Sequence, residues 1–237
     1  GPYDANNITS HYSPGIGRVE TFYVNPVNTQ QIYLGSRSGG FWRTSDGGTS
    51  WENTTDFLTA AGVNVIDASP TNADSVYINL RNASNGTSHG IYCSGDAGAT
   101  WNVTNFNPTN LGWGGLGDNS KIYKIVHHPT IPGLIFVGTS NGLYRSTDNL
   151  QTWVQLLSTS YIKDIEFHPA SPNIMYVYDD YYWGTNQSLV LRSTDFGLTF
   201  TPSSAITGNN DAEGFIAVSP VCPNCVYFAS DNGIWRS

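Results

Sequence analysis

Charge is what this 237-residue chain has least of: 12% of it is Asp, Glu, Lys or Arg, and only Lys121, Lys124 and Lys163 are lysines. The balance is acidic, with a formal net charge of -8, so nucleic acid is not the expected partner. Long apolar runs are missing as well, and no stretch approaches the roughly 18 residues of a membrane-spanning helix. Lys, Glu and Ala, the stock of amphipathic helices, do not dominate anywhere, which argues against a helical fold. Cysteine is scarce: Cys93 stands alone, and Cys222 and Cys225 form "CPNC". That motif lies between the β-like runs "FIAVS" and "VYFAS" instead of opening a helix, and no second C-x-x-C or H-x-x-H completes a zinc site. A local disulfide is the favoured reading, with free thiols or a metal half-site as the others. No D-x-D-x-D-G calcium loop appears, and "LGWGG" and "GGLGD" lack the Lys-Ser/Thr of a phosphate loop. The expectation is no cofactor and no metal. The chain opens at "GPYDANN" without a charged, apolar leader, an opening that fits a leader already removed.

What the sequence does have is aromatic residues, 13%, and 25 glycines, a mixture suited to short strands joined by glycine-bearing turns. One octet recurs: "TSDGGTSW" from Thr44, "SGDAGATW" from Ser94, "STDNLQTW" from Ser146 and "STDFGLTF" from Ser193. A catalytic motif is needed once, whereas a structural device is needed once per structural unit. Upstream of the octets, five segments share an apolar strand ending at proline, a polar turn, and a second strand bearing Tyr33, Tyr77, Phe136, Tyr176 or Tyr227. The prolines, Pro26, Pro70, Pro129, Pro169 and Pro220, lie 44, 59, 40 and 51 residues apart. A period of about 40–50 residues holding four short strands predicts an all-β fold, a β-propeller of antiparallel four-stranded blades. The blades are expected at about 18–58, 62–106, 120–157 and 160–204, with a half blade at 212–237 and a lead-in over 1–17. About four and a half blades make an incomplete propeller, so the rest of the same polypeptide is an expected partner.

The octet resembles the Asp-box (BNR) repeat, S-x-D-x-G-x-T-W, of sialidases, sortilin-type receptors, xyloglucan-cleaving glycosidases and many exported bacterial propellers. In this resemblance Asp46, Asp96, Asp148 and Asp195 accept turn N–H groups, and Gly48, Gly98 and Gly197 supply a positive φ. Leu150 replaces the glycine in the third octet, which predicts an altered turn there. Trp51, Trp101, Trp153 and Phe200 are expected to cover the blade edges. His128 and His168 fill the slot before proline held elsewhere by Asn25, Ser69 and Ser219, so they read as turn residues. Arg43, Arg145, Arg192 and Arg236 recur before or beside the octets and read as scaffold.

Loops alternate between the two ends of a blade, so proline turns and octets share one end and irregular loops the other. Irregular loops on a rigid frame are where binding concentrates. The candidates there are Arg37, Trp113, Asp179, Asp180, Tyr181, Tyr182 and Trp183; the run Tyr178–Trp183 pairs aromatic faces with carboxylates and is flanked by Asn186 and Gln187. Sugar contact, protein contact and simple cover of a neighbouring blade are all open to it. Sialidases need an arginine triad, and outside the repeated position only Arg18, Arg37 and Arg81 remain, with no "RIP"-type motif. Xyloglucanase-type inverting glycosidases have "TDVGGAYRW" in their first blade, with the Asp as general base; here the stretch is "SRSGGFWRT", with Arg37 in the aspartate's place. Asp231 is a weak catalytic candidate, with Asp179, Asp180, Asp211 and Glu213 as partners the sequence does not place.

The overall resemblance is to non-enzymatic exported Asp-box propellers, often cargo of type IX secretion, which predicts an extracellular or cell-surface location. The expected function is non-catalytic recognition, adhesion or scaffolding through glycan or protein contact. The alternatives are a xyloglucanase-like glycoside hydrolase completed by missing blades, and sortilin-like peptide capture.

Overall fold

Apolar runs of five or six residues, each bounded by a Pro- or Gly-bearing turn, are too short for a stable helix and long enough for a strand. In the computed structural model, residues 18–113, 120–158, 161–180, 187–207, 214–222, 225–230 and 233–236 are described, and these runs are strands. The chain divides into two compact units, one up to Asn119 and one from Ser120.

The first unit holds two antiparallel meanders. One is β1 (Val19–Val24), β2 (Ile32–Ser36), β3 (Gly40–Thr44) and β4 (Glu52–Asn53); the other is β5 (Gly62–Ser69), β6 (Asn72–Arg81), β7 (Ser88–Ser94) and β8 (Asn102–Val103). A single turn of helix, α1 (Pro108–Leu111), follows β8. The sequence reading had no helix here, yet its signals are present. Asn107 caps it by accepting from the Asn110 amide, Pro108 opens it, and Gly112 closes it at φ 69°.

The second unit holds β9 (Ile122–His127), β10 (Ile135–Thr139), β11 (Gly142–Ser146) and β12 (Val154–Leu157), then β13 (Ile162–Phe167), β14 (Met175–Asp179), β15 (Gln187–Ser193) and β16 (Thr201–Thr207). A three-stranded sheet of β17 (Gly214–Val218), β18 (Val226–Ser230) and β19 (Gly233–Arg236) follows, and Cys222 and Cys225 are joined by a disulfide beside β18. Each sheet runs in chain order, so hairpins alone connect neighbours.

Burial is most complete in two of the second strands. Every residue of β10 and β14 is buried, because both faces are covered, and this is why they read as unbroken apolar runs. In the first unit one core joins both meanders, with Tyr33 and Phe41 packed against Val63, Ile66, Val76, Ile78 and Trp101.

The octets form one repeated turn after the third strand. The first hydroxyl (Thr44, Ser94, Ser146, Ser193) donates to the Asp Oδ1 at 2.6, 2.6, 2.9 and 2.7 Å. It also accepts the amide of the fifth residue at 3.0, 2.8, 2.9 and 2.9 Å. The seventh hydroxyl (Ser50, Thr100, Thr152, Thr199) donates to Asp Oδ2 at 2.6, 2.7, 2.6 and 2.5 Å. The fourth amide reaches across to the proline turn of its own blade: Gly47 to the Gln30 carbonyl, Ala97 to Asp74, Asn149 to Gly133 and Phe196 to Asn173, at 2.9–3.2 Å. Octet and proline turn are therefore tied together at one end of each blade.

The turn needs two consecutive left-handed residues, not one: Gly47–Gly48, Ala97–Gly98, Asn149–Leu150 and Phe196–Gly197 all have positive φ. This corrects the expectation for Leu150. Its turn is not altered; Leu150 takes φ 63° and keeps the amide bond to Ser146. The left-handed backbone costs a leucine about 1–2 kcal/mol, and its complete burial offsets that. Leu150→Gly is accordingly expected to destabilise, since losing a buried leucine costs about 2–5 kcal/mol. A net fall in melting temperature of roughly 2–10 °C in a thermal scan is expected; a rise would show that strain dominates.

Candidate functional site

In a meander the loop after the second strand and the link to the next blade lie at the end away from the first and third turns. Arg37, between β2 and β3, and Trp113, after α1, lie at that end of the first unit. In the second unit Asp179 ends β14 and Asp180 follows it, again opposite the octets. Tyr181, Tyr182, Trp183 and Asp231 lie outside the described residues, as do Asp211 and Glu213.

Arg37 is exposed and clamps the β6–β7 loop: its Nε donates to the Ala83 carbonyl at 3.1 Å and its Nη2 to Ser84 at 3.5 Å. Trp113 is half-buried, with its ring edge-on to Phe106 at 6.0 Å. Asp179 and Asp180 are buried, 5% and 8% exposed, and bonded within the fold. Asp179 Oδ1 accepts the Tyr161 amide at 3.0 Å. Asp180 accepts from Ser188 at 3.4 Å and faces Lys163 Nζ at 3.7 Å. Burial and these two acids raise the Tyr178 phenol to about 12.

A third buried acid, Asp164, joins three sheets. It meets Lys124 of β9 at 2.8 Å and accepts the Ile216 amide of β17 at 2.8 Å. Lys124 also reaches Glu166 at 3.1 Å, and the two carboxylates raise its pKa against the opposing effect of burial. Asp164 thus works as a fastener.

The histidines before proline cap turns. His128 Nδ1 accepts the Thr130 and Ile131 amides at 3.2 and 3.1 Å, and His168 Nδ1 accepts those of Ala170 and Ser171 at 3.2 and 3.0 Å. Asn25 Oδ1 does the same for Val27 and Asn28 at 2.9 and 3.2 Å. Burial pushes the His128 ring below its usual pKa, which suits an acceptor nitrogen.

The octet carboxylates are held well below the ordinary 3.8, Asp46 and Asp96 at about 2, chiefly by the flanking hydroxyls and the amide of the seventh residue. Asp148 and Asp195 are lowered for the same reason. A depressed folded pKa gives stability that is present above 3.8 and lost as pH falls through about 2. Near-UV circular dichroism should therefore persist at pH 4 and collapse toward pH 2. In Asp96→Asn the stability at neutral pH should drop while its dependence on pH between 4 and 2 becomes shallower; an unchanged slope would count against the carboxylate's role.

At the octet end of the first unit a cavity of about 180 Å³ is lined by Gln31, Tyr33, Arg43, Trp51 and Glu52. Arg43 is fully engaged there, bonding Glu52 at 2.8 and 3.0 Å and the Asp96 and Ala97 carbonyls at 3.4 Å.

No family model matches the sequence. The chain is 28% identical over 235 residues to a xyloglucanase of Hypocrea jecorina (strain QM6a), covering 94% of this chain and 24% of that protein. It thus spans about a quarter of that relative's length. Among solved structures, a GH74 enzyme of Niastella koreensis superposes with a TM-score of 0.69 at 19% identity, over 91% of this chain and 35% of that one. The GH74 xyloglucanase of Xanthomonas campestris gives 0.68 at 16% identity, over 91% and 36%. The fold is a partial β-propeller. Its sheets are blades, each missing nothing but the fourth strand of the last one among the described residues.

One feature of the loop end escaped the sequence reading. Glu20, in β1, accepts from Arg18 at 2.6 Å and forms a second, short ion pair with Arg81 of β6. Glu20 and Arg81 are 10% and 16% exposed, Arg18 69%. Positions 18, 20, 37 and 81 share no motif, so only the pairing of β1 with β2 and the packing of β1 on the second blade bring them together.

Proposed function

We propose that this chain is part of a glycoside-hydrolase-like propeller that engages a xyloglucan-type β-glucan at the end of its blades opposite the octets. The observation that carries this reading is the identity to a xyloglucanase across 94% of the chain. In it the octets are Asp boxes, with the acid, two hydroxyls and paired left-handed residues as a self-contained rivet. The protein works outside the cell, where a disulfide such as Cys222–Cys225 persists.

Inverting hydrolysis needs a general acid and a general base about 6.5–9.5 Å apart. Arg37, standing where xyloglucanases of this type have their base, cannot take a proton from water. Asp179 and Asp180 are occupied by the Tyr161 amide, Ser188 and Lys163. With Asp179 and Asp180 engaged, the sequence candidates left for the carboxylate pair are Asp231, Asp211 and Glu213. The second reading, recognition or adhesion without turnover, is favoured by the same Arg37 observation.

Affinity electrophoresis in xyloglucan gels and a reducing-end assay on the intact protein separate the two. Retardation is expected, weakened about tenfold by Trp183→Ala if that ring stacks on the sugar, together with sugar release lost in Asp231→Asn. Retardation without release moves the function to recognition alone. No retardation by xyloglucan overturns the glycan reading.

A further inference from the structure

Arg18, Arg37 and Arg81 are three of the chain's seven arginines, and they gather at one place in a chain whose net charge is -8. The Arg37 amide donates to the Arg18 carbonyl at 2.8 Å. Arg37 and Arg81 flank Gly62 so closely that a Cβ there would sit 2.6 Å from the Arg37 carbonyl oxygen and 3.0 Å from the Arg81 Cγ. Among the described residues the carboxylate bonded into this group is Glu20, which pairs with Arg18 and Arg81. Among the described residues Arg37 bonds to neutral carbonyls, those of Ala83 and Ser84. Arg81 Nε is buried and meets no hydrogen-bond acceptor among the described residues. Burial lowers the pKa of Arg81 most, and Arg37 and Arg18 add to that against the opposing pull of Glu20.

Like charges in a partly buried place repel unless an anion joins them. Elsewhere the acidic surface would turn such an anion away, so this patch is selective as well as attractive. A guanidinium fork matches a carboxylate in two parallel bonds, which a spherical ion does not exploit. The patch also lies at the β2–β3 loop end, beside the position where a glycan backbone would pass in the reading above. We propose that Arg18, Arg37 and Arg81 form a recognition site for the carboxylate of an acidic sugar, a uronate residue carried on a glycan chain. This rests on the glycan reading of the preceding subsection and adds to it a preference for glycans that carry a uronate residue.

The test is calorimetric titration of the intact chain with a glucuronate-bearing oligosaccharide and with the same oligosaccharide after reduction of its carboxyl to a hydroxymethyl group. The acidic form should bind at least tenfold more tightly at low salt, and the preference should shrink as sodium chloride rises. In the double variant Arg18→Gln, Arg37→Gln the ratio of the two affinities should fall to near one, while the melting temperature confirms folding. Equal affinity for both forms, or a preference that survives the double variant, overturns the proposal. So does polyglutamate competing as well as the acidic sugar, since charge without sugar would then suffice. If xyloglucan retards the protein yet no carboxyl preference appears, this inference alone fails; if no glycan binds at all, the glycan reading fails with it.

Discussion

Phe41→Ala should lower the melting temperature by roughly 6–20 °C. Phe41 is fully buried and is the point at which the second blade's octet rests on the first blade. Its ring meets Trp101 edge-on at 4.8 Å and Tyr33 at 5.5 Å. Gly98 passes so close that a Cβ there would fall 2.6 Å from the Phe41 ring. The contact continues on one side, where Thr54 donates to the Gly98 carbonyl at 2.6 Å and accepts the Trp101 indole at 3.0 Å. Removing a buried phenylalanine costs about 3–5 kcal/mol in lost transfer and cavity energy. In a chain of this length each kcal/mol is worth roughly 2–4 °C. Trp101 should lose its cover, so its fluorescence should shift to longer wavelength before global unfolding. A change under about 3 °C with unaltered fluorescence would show that the two blades do not depend on this contact. The opposite substitution, Gly98→Ala, pushes on the same ring from the other side and should also destabilise.

The parts of this molecule legible in its sequence are those where one physical need recurs. Each octet must chelate an Asp with two hydroxyls, and four of the proline turns use a side-chain acceptor, Asn25, His128, His168 or Ser219. Repetition made these readable as scaffold. Leu150 misled because a position that asks for glycine on backbone grounds accepts leucine once burial repays the strain, and burial is not written locally. Asp179 and Asp180 looked like loop acids in a run of aromatics; the pairing of Asp179 with Leu189 and Ile162 extends the sheet to that point and withdraws the first acid from solvent. The arginine cluster was illegible for the converse reason. Its members were counted in the sequence but come from the residue before β1, the β2–β3 loop and β6, and nothing in their spacing announces a shared place. Scaffold chemistry is periodic and therefore readable, whereas recognition chemistry on the same frame is assembled once, across blades.

Gly142→Ala tests the frame at the loop end and should be about as damaging as the loss of Phe41. Gly142 opens β11 at φ 119°, a region that penalises any side chain by about 1–3 kcal/mol. A Cβ there would collide with the Leu157 carbonyl oxygen, which is backbone and cannot rotate away. The collision would push β12 off β11, breaking the Leu143–Leu157 pairing and lifting Leu156 and Leu157 from the core around Phe136 and Leu143. Overpacking of this kind costs a further 1–3 kcal/mol or so, for a total fall of roughly 4–24 °C in melting temperature. Thr139, which donates to the Gly142 carbonyl and accepts the Asn141 amide, both at 2.9 Å, would lose its register, so amide exchange across the Ser140–Asn141 turn should accelerate. Gly95→Ala is the control. Gly95 has open space around its missing Cβ and no positive φ, and there the substitution should leave stability within about 0.5 kcal/mol. Equal tolerance at both glycines would mean that the fourth strand of this blade is not held against the third.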